Sequence, residues 1–368
     1  MELLGKTVLE LPPLPGNPRN SEGAFLNLKD GRLMFVYSKF DAESNDDDAP
    51  ANIAARYSTD GGLTWCGEDR ILFRRKDFDR PGTPCQNIMS VSLMRMQDGA
   101  LGLYFGLRYG FNDTKLHLFR SYDEGETFSE AVKCVPGMGY YVTNNDRVVR
   151  TSSGRIIVPC NFHRMKADPA DFGHYHDYFD YRGVSCFALS DDDGKTWREA
   201  KDCCFMTTTA SNAGLQETGI VELRNGVLWA FSRTDLGCIY SSYSLDDGDT
   251  WTTPQPSQFT APCSPMSVKR APSGELLAVW NPAPAYQTRG LNTYNFARTP
   301  LVCAVSKDEG HSWSEPMFLE DAPGGYCYIA IHFEGDHVLL AYCAGSPEDE
   351  SCLARLRMKS VQLSDLGI

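Results

Sequence analysis

Three arginines are placed where strands are expected to begin or end at one face of the molecule. Arg19 precedes the first expected strand, Arg233 ends the run Trp-Ala-Phe-Ser-Arg, and Arg298 opens the run Arg-Thr-Pro-Leu-Val-Cys-Ala-Val. A guanidinium group presents a planar fork of donors that matches a carboxylate. A solvated surface arginine is the ordinary explanation for any one of them. Three at the same face predict a pocket for an anion.

Polar side chains recur at one position of the innermost expected strands. This position lies nine residues before the glycine of each of six turn pairs, and it holds Glu22, Ser90, Asn145, Glu217, Pro265 and Tyr326. The innermost strands are otherwise apolar. Two carboxylates, a phenol and an amide in one ring therefore favour a binding or catalytic role over packing.

Six turn pairs between apolar runs predict the β-hairpins that position this ring. They are Asp30-Gly31, Asp98-Gly99, Ser153-Gly154, Asn225-Gly226, Ser273-Gly274 and Glu334-Gly335. Each pair joins two stretches of β-prone sequence, so each is expected to connect the first two strands of one repeated unit.

A second repeat, Ser-x-Asp-x-Gly-x-Thr/Ser-Trp/Phe, occurs five times. The copies begin at Ser58, Ser121, Ser190, Ser244 and Ser306. In such a turn the Asp and hydroxyl groups bind backbone groups, the glycine takes a positive φ, and the aromatic ring fills an apolar gap. Repetition at a spacing of about 60 residues indicates one supersecondary unit used several times.

The two repeats together predict an all-β fold, a six-bladed β-propeller of four-stranded antiparallel blades. The five-copy motif is expected between the third and fourth strands of its blade and is absent from the sixth. No composition break divides the chain, so residues 1–368 are expected to form one domain. Counting along each blade puts the hairpins and motifs at one face, and the arginines and polar ring at the other.

The five-copy motif is similar to the Asp-box, or bacterial neuraminidase repeat, and the chain resembles the sialidase superfamily. The resemblance implies three arginines that hold a sugar carboxylate, a Tyr nucleophile, a Glu that activates it and an Asp acid/base. Arg233 and Arg298 resemble the second and third arginines. Arg19 stands at the position of the first, where the family's Arg-Ile-Pro reads Arg-Asn-Ser in this chain.

The resemblance also assigns the catalytic residues. Tyr326, in the run Gly-Tyr-Cys-Tyr, is the expected nucleophile, and Glu217 is the expected base that takes its proton. Asp48 is the expected acid/base, with Asp46 and Asp47 as competitors in the same loop. A neutral phenol suits an anomeric carbon beside a carboxylate, which would repel an anionic nucleophile, but its pKa near 10 requires a base.

Further substrate contacts are expected from Asn145, Arg147 and Glu22, in addition to the three arginines. Arg147 and the adjacent Asp146 alternatively pair with each other. Glu22 departs from the family pattern. It either orients Arg19 or replaces carboxylate binding by hydroxyl binding, which would change the substrate.

The implied activity is that of a retaining exo-glycosidase that hydrolyses a terminal sialic acid or related 2-keto sugar acid. No cofactor or metal is required by this chemistry. Two alternatives stay open: a glycosidase for a uronic or neutral sugar, and a carbohydrate-binding propeller without catalysis. The polar insert at residues 166–181 is interpreted as either a lid or an oligomer contact.

Composition limits the partners. A net charge of −13 and a pI of about 5.0 argue against nucleic acid and anionic membrane surfaces as partners. Most of the 13 cysteines lie in apolar strands, as expected of buried thiols in a reducing compartment. No apolar run approaches the roughly 20 residues of a membrane span, and no signal peptide is recognisable, so a cytoplasmic, bacterial location is expected.

Overall fold

The computed structural model describes residues 3–167, 178–207, 211–284 and 297–368. Within these residues the fold is built of strands, numbered here in chain order: β1 (Lys6–Leu11), β2 (Asn20–Asn27), β3 (Leu33–Phe40), β4 (Ala51–Ser58), β5 (Arg70–Phe73), β6 (Asn87–Arg95), β7 (Leu101–Arg108), β8 (Asp113–Ser121), β9 (Val132–Lys133), β10 (Gly139–Val142), β11 (Val149–Arg150), β12 (Ile156–His163), β13 (Val184–Ser190), β14 (Arg198–Glu199), β15 (Gln216–Glu222), β16 (Leu228–Arg233), β17 (Cys238–Ser244), β18 (Gln255–Thr260), β19 (Ser267–Arg270), β20 (Leu276–Trp280), β21 (Leu301–Ser306), β22 (Met317–Glu320), β23 (Gly325–Glu334), β24 (His337–Gly345) and β25 (Leu356–Gln362). The helical elements are 3-10 turns at Arg75–Phe78 and Pro347–Asp349 and a short helix, α1, at Leu363–Leu366.

Four sheets are four-stranded and antiparallel, as the repeats predict. They consist of β2–β5, β15–β18, β19–β22, and β23–β25 with β1. The last sheet takes its fourth strand from the other end of the chain, because β1 pairs with β25 with Lys6 opposite Ser360. The hairpin pattern did not predict this pairing, since β1 precedes the first turn pair.

The remaining strands form one nine-stranded sheet, which differs from the two separate blades expected there. It contains two four-stranded meanders, β6–β9 and β11–β14, and β10 connects them. β10 runs parallel to β8 and antiparallel to β12, with Tyr140 opposite both Thr114 and His163. Its sequence, Gly-Tyr-Tyr-Val, is rich in strand-forming residues, which explains why this linker pairs with the edges on both sides.

Successive sheets pack against one another in a closed series, for the most part through their innermost strands. β2 contacts both β6 and β23, β15 contacts β12 and β19, and β19 contacts β23. The apolar core lies between neighbouring sheets, where Phe105 and Phe119 stack with ring centroids 4.5 Å apart. The polar ends of the innermost strands therefore converge on a common centre.

The five-copy motif forms the predicted turn, and its first copy shows the geometry. Ser58 Oγ donates to Asp60 (2.7 Å) and accepts from the Gly62 amide (2.8 Å), while Thr64 Oγ1 donates to the same carboxylate (2.6 Å). Gly62 has φ +89°, and the Trp65 indole donates to its carbonyl. Each copy follows the third strand of its unit, at the same end as the hairpin turns. That end is remote from the arginines.

In four of its copies the motif also attaches its four-stranded unit to the preceding unit. The residue before the motif glycine is acidic in four copies, and its carboxylate accepts a hydrogen bond from the hairpin of the preceding unit. The pairs are Glu124 with Lys29, Asp193 with Gln97, Asp247 with Ser153, and Glu309 with Arg224.

Two further findings concern the described residues alone. None of their helices has the length and apolar composition needed to cross a bilayer. None of their His, Cys, Asp and Glu side chains form a group of three or more arranged to hold a metal ion.

Candidate active site

Five innermost strands share an unusual backbone feature at the end remote from the hairpins. One non-glycine residue in each strand, or in the turn just before it for Asp146, has a positive φ between 49° and 66°: Glu22, Ser90, Asp146, Glu217 and Tyr328. In four of the five the strand register shifts beside this residue, as in a β-bulge. Such residues are strained by about 1–3 kcal/mol each, and they cluster at functional sites in proteins.

Tyr328 and Glu217 meet across the centre of the molecule. The Tyr328 hydroxyl donates to Glu217 Oε1 at 2.9 Å, and Arg233 Nη1 donates to Oε2 at 2.7 Å. Burial and the nearby charge of Glu217 raise the pKa of Tyr328 well above its usual value. The phenol is therefore neutral at neutral pH, and Glu217 is positioned to accept its proton during a reaction.

Tyr326, the expected nucleophile, is not in this site. Its hydroxyl donates to the Ala322 carbonyl at 3.2 Å, and its ring packs edge-on against Tyr342 in the core. Burial raises the pKa of Tyr326 to about 12. Tyr328 has the position that we expected for Tyr326.

The displacement by two residues follows from the length of one hairpin. The turn between β2 and β3 has three residues, closed by a hydrogen bond from the Leu28 amide to the Arg32 carbonyl. The turn between β23 and β24 has two, because Glu334 pairs directly with His337. The glycine is the last residue of the three-residue turn, Gly31, but the first residue of the two-residue turn, Gly335. Counting nine residues back from the glycine therefore reaches Glu22 in β2, but in β23 it reaches Tyr326, two residues before Tyr328.

Arg233 and Arg298 flank the Tyr328–Glu217 pair, as their positions predicted. Both are buried, with 8% and 7% exposure. The Arg298 guanidinium lies 5.4 Å from the centre of the Tyr328 ring and donates to Cys327 Sγ at 3.0 Å. Its Nε has no hydrogen-bond partner in the described part of the chain. Arg233 Nε donates to Cys263 Sγ at 3.1 Å.

Arg19 reaches the same region but is fully covered. Its Nε donates to Ser21 Oγ, its Nη1 to the Asn45 carbonyl and to Asp47, and its Nη2 to Glu22. Both carboxylate contacts measure 2.6 Å, and the side chain has no solvent exposure. Arg19 therefore serves two internal carboxylates in this arrangement and presents no free surface to a ligand.

Glu22 lies beneath Arg19 and lines the central recess. One oxygen binds Arg19, and the other accepts from Ser90 Oγ at 2.6 Å. Burial raises the pKa of Glu22 to about 7, against the opposing charge of Arg19. Of the two roles that the sequence left open, the geometry fits the orientation of Arg19.

Among the three successive aspartates, the structure brings Asp47 to the recess and does not bring Asp48. The chain turns here, with the Ala49 amide bound to the Asp46 carbonyl, so that neighbouring side chains point in different directions. Asp46 accepts from Ser44 Oγ at the surface. Asp48, the expected acid/base, is not among the residues that line the recess.

The carboxylate of Asp47 is accessible, with 65% side-chain exposure, although it is held by Arg19. Loss of hydration in the recess raises the pKa of Asp47, but the charges of Arg19, Arg108 and Arg298 outweigh this effect. The net result is a pKa below the usual value. Asp47 is therefore ionised at neutral pH without a ligand.

Asn145 and Arg147 lie below the recess and do not line it. Asn145 Nδ2 donates to the Gly23 carbonyl at 2.8 Å and to the Tyr328 carbonyl at 3.2 Å, so it fixes two neighbouring strands. Arg147 is buried against the Phe231 ring, and burial lowers its pKa to about 10. These positions are structural and contradict the substrate contacts that we expected.

The alternative pairing of Arg147 with Asp146 is not formed either. Asp146 binds Lys269 Nζ at 2.7 Å in an ion pair. Most of the 166–181 insert lies outside the described residues.

The recess has a volume of about 100 Å³, and sequence reasoning missed one of its charged residues. Arg108 ends β7, the second strand of its unit, and Arg233 ends β16 at the corresponding position. The same strand-end argument that selected Arg233 would have found Arg108. The recess is lined by Glu22, Asp47, Asn87, Met89, Ser90, Gly106, Arg108, Thr114, Leu116, Tyr140, Tyr141, Val142, Thr143, Asn144, Glu217 and Tyr328.

Solved structures with a similar fold include several sialidases. A Hadza microbial sialidase is 18% identical and aligns over 95% of this chain and 67% of its own, with a TM-score of 0.71. The leech intramolecular trans-sialidase, in complex with 2,7-anhydro-Neu5Ac, is 16% identical over 100% of this chain and 71% of its own, with a TM-score of 0.71. A protein of unknown function from Dyadobacter fermentans is 14% identical over 97% and 99%, also with a TM-score of 0.71.

A comparison of the sequence with curated proteins gives no match. Residues 31–340 match the model of the BNR repeat-like domain family. Because this match spans most of the chain, the protein belongs to the BNR repeat-like domain family, and it has the fold of the sialidases.

Proposed function

We propose that the protein is a retaining exo-glycosidase of the sialidase type, which releases a terminal sialic acid or a related 2-keto sugar acid. The observation that carries this proposal is the hydrogen bond of 2.9 Å between Tyr328 and Glu217, beside the buried Arg233 and Arg298. A phenol paired with a base, next to two carboxylate-binding cations, is an uncommon combination that suits this one class of sugar.

In this mechanism Arg233 and Arg298 hold the sugar carboxylate and orient the anomeric carbon towards Tyr328. Tyr328 attacks that carbon while Glu217 accepts the phenol proton, and a covalent glycosyl–tyrosine bond forms. Asp47 donates a proton to the leaving oxygen and afterwards removes one from water. The water cleaves the tyrosine bond, Glu217 returns its proton to the phenol oxygen, and the configuration is retained overall.

Asp47 must carry a proton to act as an acid. We propose that substrate binding raises the pKa of Asp47 enough for it to take up this proton. Without a ligand, Arg19, Arg108 and Arg298 keep its pKa low. A substrate carboxylate on Arg298 offsets part of that positive charge. The pKa of Asp47 then rises towards the working pH, so protonation of the acid is coupled to occupation of the site.

We also propose that the four-stranded units, counting the two meanders of the large sheet separately, are the blades of a single six-bladed propeller. The closed series of contacts between successive sheets supports this arrangement. The ring shape explains why residues from distant parts of one domain converge on one recess.

The experiment compares two tyrosine variants on an aryl sialoside. Tyr328→Phe is expected to lose turnover by at least about 10³-fold, since the nucleophile is removed. Tyr326→Phe is the matched control. It loses one core hydrogen bond, worth about 1 kcal/mol of stability, and keeps its turnover. A 2,3-difluoro sugar acid should label Tyr328 in the wild type, as detected by peptide mass spectrometry. Full turnover by Tyr328→Phe, or a label elsewhere, would contradict the proposal.

The two alternatives predict other outcomes of the same assay. A glycosidase for a uronic or neutral sugar would cleave the corresponding aryl glycosides in preference to the sialoside. A binding propeller would bind the sugar acid without turnover, and Tyr328→Phe would then change affinity alone. The carboxylate of Glu22 within the recess is the feature that keeps the first alternative worth testing.

A further inference from the structure

Arg108 is a buried cation with few partners. It is 7% exposed, and in the described part of the chain only its Nη1 is hydrogen-bonded, to the Asp47 carbonyl at 3.0 Å. Its Nε has no partner there, and none of the described carboxylates forms an ion pair with it. The rings of Phe111 and Tyr140 lie 5.3 Å and 5.1 Å from the guanidinium.

This arrangement is costly for the free protein. A buried cation without a direct ion pair loses hydration, and two aromatic rings and one carbonyl return only part of that free energy. Carboxylates are abundant in this chain, whose net charge is −13, and Arg19 forms ion pairs with two of them. Arg108 faces the recess, and although the Asp47 carboxylate is near enough to feel its charge, that carboxylate is bound to Arg19. A direct ionic partner for Arg108 is therefore expected from a ligand.

The contact with Asp47 shows which part of a ligand Arg108 meets. In the proposed mechanism Asp47 is the residue next to the leaving oxygen. Arg108 holds the backbone of that same residue, so it lies on the leaving-group side of the reaction centre. Arg233 and Arg298 belong to two other sheets, and in the same mechanism they hold the carboxylate of the sugar that is transferred to Tyr328.

We infer that Arg108 binds an anionic group on the leaving portion of the substrate, and that the enzyme prefers glycosides whose leaving sugar is itself acidic. This inference rests on the proposed function for the assignment of the leaving-group side. A carboxylate of a second sugar acid and a sulfate ester on a neutral sugar are both anions that a guanidinium fork accepts.

The test measures kcat/KM for three substrates that release the same sugar acid. They are an α2,8-linked disialic acid, a sialyllactose carrying a sulfate ester, and plain sialyllactose. The wild type is expected to prefer the acidic substrates. In Arg108→Gln that preference should fall by about 10- to 100-fold, the size of a lost charge-assisted hydrogen bond, mainly through a higher KM. Arg108→Lys should restore part of it. The two acidic arms show which anion is preferred.

The ratio of kcat/KM for acidic substrates to kcat/KM for the neutral one distinguishes anion recognition from a structural role of Arg108. If Arg108 only held Asp47 in place, its loss would lower kcat/KM equally for all three substrates. Arg95→Gln is the matched control, since it removes a cation at the hairpin end of the adjoining strand. Equal losses on all three substrates, or no preference in the wild type, would overturn the inference.

Measurements of binding test the role of Arg108 separately from the proposed hydrolase activity. Calorimetric titration of Tyr328→Phe and of the double variant with Arg108→Gln is made with disialic acid and sialyllactose. Binding that depends on Arg108 only for disialic acid, without any turnover in the wild type, would keep Arg108 as the binding site for the second anionic group and refute the hydrolase. Binding of neither compound would overturn both.

Discussion

Replacing Glu22 by glutamine is expected to stabilise the protein at about pH 8 and to leave its stability nearly unchanged at about pH 5. Burial raises the pKa of this carboxyl from 4.5 to about 7. Between these pH values the folded protein keeps a proton that the unfolded chain has released. The free energy of unfolding therefore falls as the pH rises through this range.

The expected size of the effect follows from the two pKa values. An increase from 4.5 to about 7 corresponds to about 3 kcal/mol. The wild type has this contribution in full below its unfolded pKa and loses it as the pH rises through about 7. Glutamine cannot ionise, so the difference in stability between Glu22→Gln and wild type should grow from about zero to at most about 3 kcal/mol.

The ion pair with Arg19 argues for the opposite sign, because removing one partner of a buried pair costs about 3–5 kcal/mol in many proteins. For Glu22 the cost of desolvating the ionised carboxylate exceeds its attraction to Arg19, because Arg19 has Asp47 as a second counter-ion. The side chain of Asp47 is 65% exposed and ionises cheaply, whereas that of Glu22 is 5% exposed. Burial lowers the pKa of Arg19, but the charges of Asp47 and Glu22 outweigh it and raise that pKa.

The assay is urea denaturation of wild type and Glu22→Gln across this pH range, with the exposed Glu68→Gln as control. The control should show no pH-dependent difference from the wild type. A Glu22→Gln variant that is less stable than wild type at about pH 8 would refute the reasoning. It would show that Glu22 is ionised and that its attraction to Arg19 exceeds the cost of burial.

Two further substitutions test the support of the site and the packing of the motif turn. Asn145→Ala removes the donor that fixes the Gly23 and Tyr328 carbonyls, so stability should fall by about 2–3 kcal/mol and kcat should fall with it, as measured by denaturation and turnover. Gly62→Ala forces a side chain onto φ +89° with its Cβ 2.3 Å from Leu339 Cδ1, whereas Gly31→Ala has φ +86° and open space. Denaturation should show a loss of about 1 kcal/mol for Gly31→Ala and clearly more for Gly62→Ala. Equal losses would mean that packing around the motif adjusts freely.

Local signals in the sequence predicted the repeated units well. The turn pairs and the five-copy motif lie between the strands where the pattern put them, because turn chemistry is set by a few neighbouring residues. Arg233, Arg298 and Glu217 also reached the centre as expected. Arg233 ends β16, Glu217 lies near the start of β15 and Arg298 shortly precedes β21, so the local pattern of strands was enough to place them.

Errors arose where the answer depends on contacts beyond the local pattern. The count from the turn glycines predicts Tyr326 at the centre, where Tyr328 lies, because it assumes hairpins of equal length. The position of Asp47 in the recess is not predicted because no periodic rule applies in an irregular loop. The pairing of β10 with two meanders joins segments whose register is set by packing, which one sequence does not reveal. Arg108 was missed although its strand-end position was visible.

The pairing of β1 with β25 bears on how the protein is made. Lys6 leaves the ribosome long before Ser360, the residue that it faces in the finished sheet. Until then β1 has no partner, and the edge that it will cover does not yet exist. A fusion or tag that stiffens the segment before Lys6 would compete with this late docking, whereas one attached at a surface loop would not. Loss of β1 would leave β25 as an open edge, to which a second chain could add a strand.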